Sequence, residues 1–269
     1  MNGAVDLSLF SMGMTALLLI IPLAVIWRFK LGLNRSMLIS VIRMAVQLVL
    51  IGFFLEFLFK YNNWLLNLTW FLVMISVAAY SVSDSSSLSF SRLALPLIAA
   101  FVVANLLIVL YFNAFIVQLD QILDAKYVIA IGGMILGNSL RSNVVGLGDF
   151  YQSIRREENA YFYQLALGAT LYEALLPFAR RSFRAAINPT IATMATMGIV
   201  SLPGMMTGQI LGGSVPMVAI KYQIAIMVAI LASAVLSIAL GIIFTSRMAF
   251  DKYGVVRKEL FLTQNKRNK

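Results

Sequence analysis

Neither cysteine nor histidine occurs in the 269 residues. Their absence excludes a disulfide framework, zinc-ribbon spacing, a thiol nucleophile, an imidazole base and a haem ligand. Charge is also scarce. Charged side chains make up 12% of the chain and hydrophobic ones 61%, too few polar groups to cover a water-facing globule of this length. The solvent is lipid, and the expected fold class is an all-α polytopic membrane protein forming one transmembrane domain over 1–269. A glycine-rich loop leading into Gly-Lys-Ser/Thr is missing too, so the backbone N–H groups and lysine that hold nucleotide phosphates are not there. The chain is expected to be no enzyme and to bind no cofactor. Any ATP and Mg would sit on another polypeptide.

What the chain does have is apolar runs near 20 residues, the length a helix needs to cross about 30 Å of hydrocarbon at 1.5 Å per residue. Seven are expected, at about 7–27, 38–59, 64–83, 93–115, 128–148, 189–213 and 217–246. No Lys or Arg precedes the first run, so it reads as a retained anchor and not as a cleaved signal. The formal charge of +10 would point to nucleic acid in a soluble protein, but here the basic residues gather at the ends of runs. Arg28, Lys30 and Arg35 follow the first run, Arg92 the third, Arg155, Arg156, Arg180, Arg181 and Arg184 the fifth, and a basic tail over 247–269 the seventh. Lys60, Lys126 and Lys221 fall on the other side. Because cationic loops stay in the cytoplasm, the pattern places the N-terminus outside and the C-terminus inside, with the tail on the anionic lipid surface. Trp27, Trp64, Trp70, Tyr61, Tyr80 and Tyr111 sit near run ends as interfacial anchors.

The one long hydrophilic stretch, about 151–188, is organised as a cytoplasmic elbow. Residues 152–167 carry a helical pattern that Gly168 ends with a left-handed stop, and Thr170-Leu-Tyr-Glu173 is a capping box for a helix expected to end before Pro189. Leu165, Leu167, Ala169 and Leu171 make this turn a small, stiff knob, suited to a groove on a partner or to simple packing along the membrane surface. Within the sixth run, Pro203 and the glycines of Ser201-Leu-Pro-Gly-Met-Met-Thr-Gly-Gln209 interrupt the apolar pattern. That makes Pro203, Gly204, Met205, Met206 and Gly208 either a hinge along a transport path or a close helix contact. Gly132, Gly133, Gly137 and Asn138 offer a second such surface.

Ionisable groups inside spans are functional candidates because they are costly in lipid. Arg43 and Gln47 share a helix face in the second run. Glu56 lies near its outer end, where snorkelling accounts for it, and Asp84 lies just past the third run. Glu56 and Asp84 are the only weak candidates for a metal. The methionines read as packing material before they read as a copper(I) site.

Five ordered motifs add a family. Ile131-Gly-Gly-Met-Ile-Leu-Gly-Asn138, Leu167-Gly-Ala-Thr170, Arg181-Ser-Phe-Arg-Ala-Ala-Ile187, Ser201 to Gln209 as above, and Ala219-Ile-Lys-Tyr-Gln-Ile224 closely resemble the FetB family of bacterial ABC permeases. That family is described as exporting iron with a separate ATPase, FetA, and is similar to plant aluminium-tolerance permeases for which a nucleotide sugar has been suggested as cargo. The resemblance implies a permease that dimerises in the bacterial inner membrane and docks a FetA-like ATPase on its elbow. It also implies that Leu167, Gly168, Ala169 and Thr170, with Glu173 and the upstream acid Glu158, form the coupling segment, although the full Glu-Ala-Ala signature is absent. Iron fits the residues less well, since a hard cation prefers carboxylate oxygens. A secondary carrier would show paired broken helices and intramembrane acids, and an intramembrane enzyme would need paired catalytic groups at one depth.

Overall fold

The computed structural model describes residues 6–257, apart from Ser87 and Lys252, and leaves aside the side chains of Leu9 and of residues 90–92. The tail beyond 257, with most of its expected basic residues, and the Arg92 side chain lie outside the described residues. Helices account for nearly the whole described chain: α1 (Leu9–Leu17), α2 (Ile20–Arg28), α3 (Asn34–Tyr61), α4 (Trp64–Ser85), α5 (Phe90–Tyr111) with a π-helical extension Phe112–Val117, α6 (Ala125–Arg156), α7 (Glu158–Ala166), α8 (Leu171–Thr196), α9 (Gly204–Leu211) and α10 (Pro216–Ala249). Six stretches among them are long and apolar enough to cross a membrane: Phe10–Arg28, α3, α4, Leu93–Val117, α6 and α10.

The run expected over 189–213 is not a seventh helix of that kind. α8 continues through Pro189 to Thr196, where an end before Pro189 was expected. Proline removes only the hydrogen bond to the Ala185 carbonyl, and close packing holds the helix: a methyl group built on Gly146 of α6 would lie 3.3 Å from Ala186 Cβ. The chain then breaks at Met197 and Gly198, the latter at φ +87°, and a Met197–Ser201 bridge closes the loop. Pro203 is the residue before α9, where it starts a helix instead of kinking one. The 152–167 pattern is likewise divided: α6 runs on to Arg156, the backbone bends at Glu157 (φ −109°, ψ 34°), and α7 begins.

Side-chain pairs give the direction of each helix. Ser139 meets Ser233 (2.8 Å), Asn143 meets Ser237 (2.6 Å) and Tyr151 meets Thr245 (2.7 Å). Each pair is 94 residues apart, so α6 and α10 run parallel in fixed register. Asn105 of α5 joins this buried ladder by accepting from Ser233 at 3.0 Å. α8 runs against α6, with Ser182 beside Asp149 and Ala186 beside Gly146. The chain leaves the end of α6 and re-enters α10 pointing the same way, so α8, the break and α9 together make the return crossing. One broken crossing added to six long spans recovers the expected odd number.

α4 also runs parallel to α6. Its Phe71 ring lies against Gly132, so close that a Cβ there would sit 2.8 Å from the ring, and Met74 lies against Gly133. Where the end of α3 meets the start of α6, Asn62 caps α3 in a left-handed conformation, donates to Asp124 (2.8 Å) and accepts from the Ala125 N–H (2.8 Å). Asn67 donates to the Leu123 carbonyl (2.9 Å). The polar side chains thereby tie the α3–α4 turn to the turn before α6. By contrast α1–α3 hardly touch this core: of α3 only Leu58 is buried, and the apolar stretch of Phe10–Arg28 has no buried residue.

Candidate functional site

The elbow is the most finely built polar feature of the chain. α7 ends in a Schellman motif: the Ala169 N–H donates to the Gln164 carbonyl (3.1 Å) and the Gly168 N–H to the Leu165 carbonyl (3.0 Å). Gly168 takes φ +91°, the left-handed geometry this motif requires. Thr170 then caps α8, accepting from the Glu173 N–H (3.3 Å) while its own N–H donates to Glu173 Oε2 (2.8 Å). The two Thr170 hydrogen bonds hold the Glu173 carboxyl below its ordinary range. The tip is apolar and open. Leu167 is 70% exposed and Tyr172 72%, whereas Glu158 lies exposed in the first turn of α7.

Behind the tip, the elbow is fastened to the end of α10. Tyr161 is fully buried and donates to the Gly254 carbonyl at 2.6 Å. Burial, with the Asp251 carboxylate nearby, pushes this phenol up to about 12, so it stays a donor at any physiological pH. Gly254, at φ +76°, fits under Leu165, where a Cβ would approach Leu165 Cδ1 to 2.9 Å. Arg181 of α8 binds Glu157 (2.7 Å) and reaches Asp149 of α6 (4.0 Å), Arg156 lies 3.7 Å from Asp149, and the Ser182 hydroxyl donates to Asp149 (3.0 Å). The bend between α6 and α7 is therefore held by charge as well as by packing.

The other expected site residues are dispersed. Arg43 and Gln47 share an exposed face of α3, and Glu56 is exposed toward its far end. Asp84 is exposed at the opposite end of α4. Glu56 and Asp84 therefore do not converge, and among the described residues no three His, Cys, Asp or Glu side chains gather to hold a metal. Met205 and Met206 are half-buried on α9, and Gly204 and Gly208 face open space.

The profile of the uncharacterised protein family UPF0014 matches residues 9–250. The chain belongs to the UPF0014 family. It is 31% identical to the probable iron export permease protein FetB of Escherichia coli over 96% of both chains. It is 33% identical to the UPF0014 membrane protein YjkA of Bacillus subtilis over 84% of this chain and 89% of that one. With the protein ALUMINUM SENSITIVE 3 of Arabidopsis thaliana it shares 34% identity over 79% and 77% respectively. No solved structure matches it significantly. Two of these UPF0014 relatives thus carry the names of membrane or permease proteins, in accord with the spans described above.

Sequence reasoning passed over one residue of this UPF0014 chain. Arg141 lies inside α6, exposed, and borders a cavity of about 200 Å3 shared with Asn138, Ser142, Thr190, Thr193 and Met227. The fifth apolar run passes straight across it, because hydropathy averaged over twenty residues absorbs a single arginine. The absence of any charge within seven residues on either side was the signal available.

Proposed function

We propose that this chain is the membrane-spanning subunit of an ABC exporter whose ATP and Mg are held by a separate FetA-like ATPase, and that it works as a homodimer in the bacterial plasma membrane. The observation that carries the reading is the elbow: a rigid turn, capped on both sides, with Leu167 and Tyr172 bare at its tip and its back locked to α6 and α10. Such a knob is stiff enough to transmit a push, and it offers a partner groove an aromatic and an aliphatic anchor. The uncovered apolar faces of α1–α3 are the surface available to lipid and to a second copy. Iron follows from the name of the Escherichia coli relative. With Glu56 and Asp84 far apart, it would cross without a carboxylate cage.

The test is reconstitution. The purified chain alone should hydrolyse no ATP, its complex with the ATPase should, and Leu167→Asp should abolish co-purification of the ATPase while leaving the chain membrane-inserted. Robust ATP turnover by the isolated chain, or a Leu167→Asp variant that still holds the ATPase and transports, would overturn the reading.

A further inference from the structure

The cavity beside Arg141 has a chemistry of its own. Arg141 stands eight residues before Asp149, the nearest acid on α6, hence about 12 Å inside the cytoplasmic charge cluster at the helical rise. It makes no ion pair with any described residue. An arginine at such depth persists only where water, a partner or a ligand meets it. Around it, Thr193 donates to the Pro189 carbonyl (2.9 Å) and the Asn138 amide to the Met134 carbonyl (2.9 Å). The hydroxyls of Ser142 and Thr190 bond to no described residue and remain free to donate. No carboxylate lines the cavity. The site is rich in donors and cationic, and at about 200 Å3 it holds roughly seven waters' worth of volume at ~30 Å3 each. That is room for one carboxylate or phosphate group with its nearest waters.

We propose that this cavity is the cytoplasm-side loading site for cargo, and that it takes an anionic group, carboxylate or phosphate, through the Arg141 guanidinium and the Ser142 and Thr190 hydroxyls. The proposal rests on the permease reading and names its cargo class. A bare iron cation would be repelled by Arg141, so iron enters this cavity only as a complex whose ligands carry negative charge.

The missing cysteines make the test direct. In the full chain with its ATPase, in inverted membrane vesicles, Thr193→Cys places a single thiol on the cavity wall. It should react with the anionic reagent 2-sulfonatoethyl methanethiosulfonate faster than with its trimethylammonioethyl counterpart, by about tenfold relative to a free thiol in solution. The preference should vanish on adding Arg141→Gln and survive Arg141→Lys. Protection by inorganic pyrophosphate would assign a phosphate-bearing cargo, and protection by citrate a carboxylate chelate. An unreactive thiol, a preference that persists in Arg141→Gln, or protection by neither anion would overturn the proposal. Because none of these readouts needs ATP hydrolysis, failure of ATPase coupling with the anion preference intact would sink the exporter reading and leave the site standing.

Discussion

At the scale of single residues, Gly168 and Thr170 do different work in the same turn. A Cβ added at Gly168 meets nothing within 4 Å, so Gly168→Val acts only through the backbone, at about 1–2 kcal/mol for a β-branched residue at positive φ. The variant should insert and dimerise normally but lose ATPase co-purification, with Thr170→Ala milder. Full ATPase binding and coupled transport retained in both variants would reduce the elbow to a surface helix pair. The cap is also tied to pH. Because the Glu173 carboxyl is held below its ordinary range, its contribution is complete above the usual glutamate range and is lost only as acid drops the pH through the lowered value. Coupling should therefore be flat near neutrality. This turn was legible in the sequence down to its hydrogen bonds, because Gly at a helix stop and Thr-x-x-Glu are local signals that tertiary packing need not supply. Arg141 was not, since its meaning comes from α8 and α10 standing beside it.

Elements were legible in type, less so in their number and ends: six stretches are long and apolar enough to cross a membrane where seven were expected. α4 and α5 match the expected runs closely. α6 and α8 overrun theirs because neighbouring helices, and not propensity, decide where they stop: α6 is carried on to Arg156 by the ion pairs of Asp149, and α8 past Pro189 by its contact with Gly146. Glycine on α6 is where that contact is made or lost. Gly132→Val should force the buried Phe71 ring aside and cost about 1–3 kcal/mol as overpacking, whereas Gly137→Ala, with open space around it, should keep or slightly raise thermal stability in detergent, since alanine is the better helix former. Equal melting temperatures for the two variants would mean that α4 and α6 are not packed as described.

For the whole molecule, the helix directions put the turn before α6 and the elbow on opposite faces of the membrane, and the charge pattern alone predicts which face is which, with the elbow in the cytoplasm. A cysteine at Asp120, exposed in the turn before α6, should react with an impermeant thiol reagent on intact cells, and one at Tyr172 on the elbow should react only after permeabilisation. The reverse labelling would invert the topology. Fixed register between α6 and α10 then decides what sort of motion can pass from the elbow to the opposite end of the bundle. Sliding one helix a turn past the other would set Tyr151 opposite Ala249 and Asn143 opposite Gly241, a phenol and an amide buried against groups that cannot answer them. Slip is thereby forbidden while shared rotation is not, and the pair is built to deliver torque as a shaft does, with no stroke of a piston.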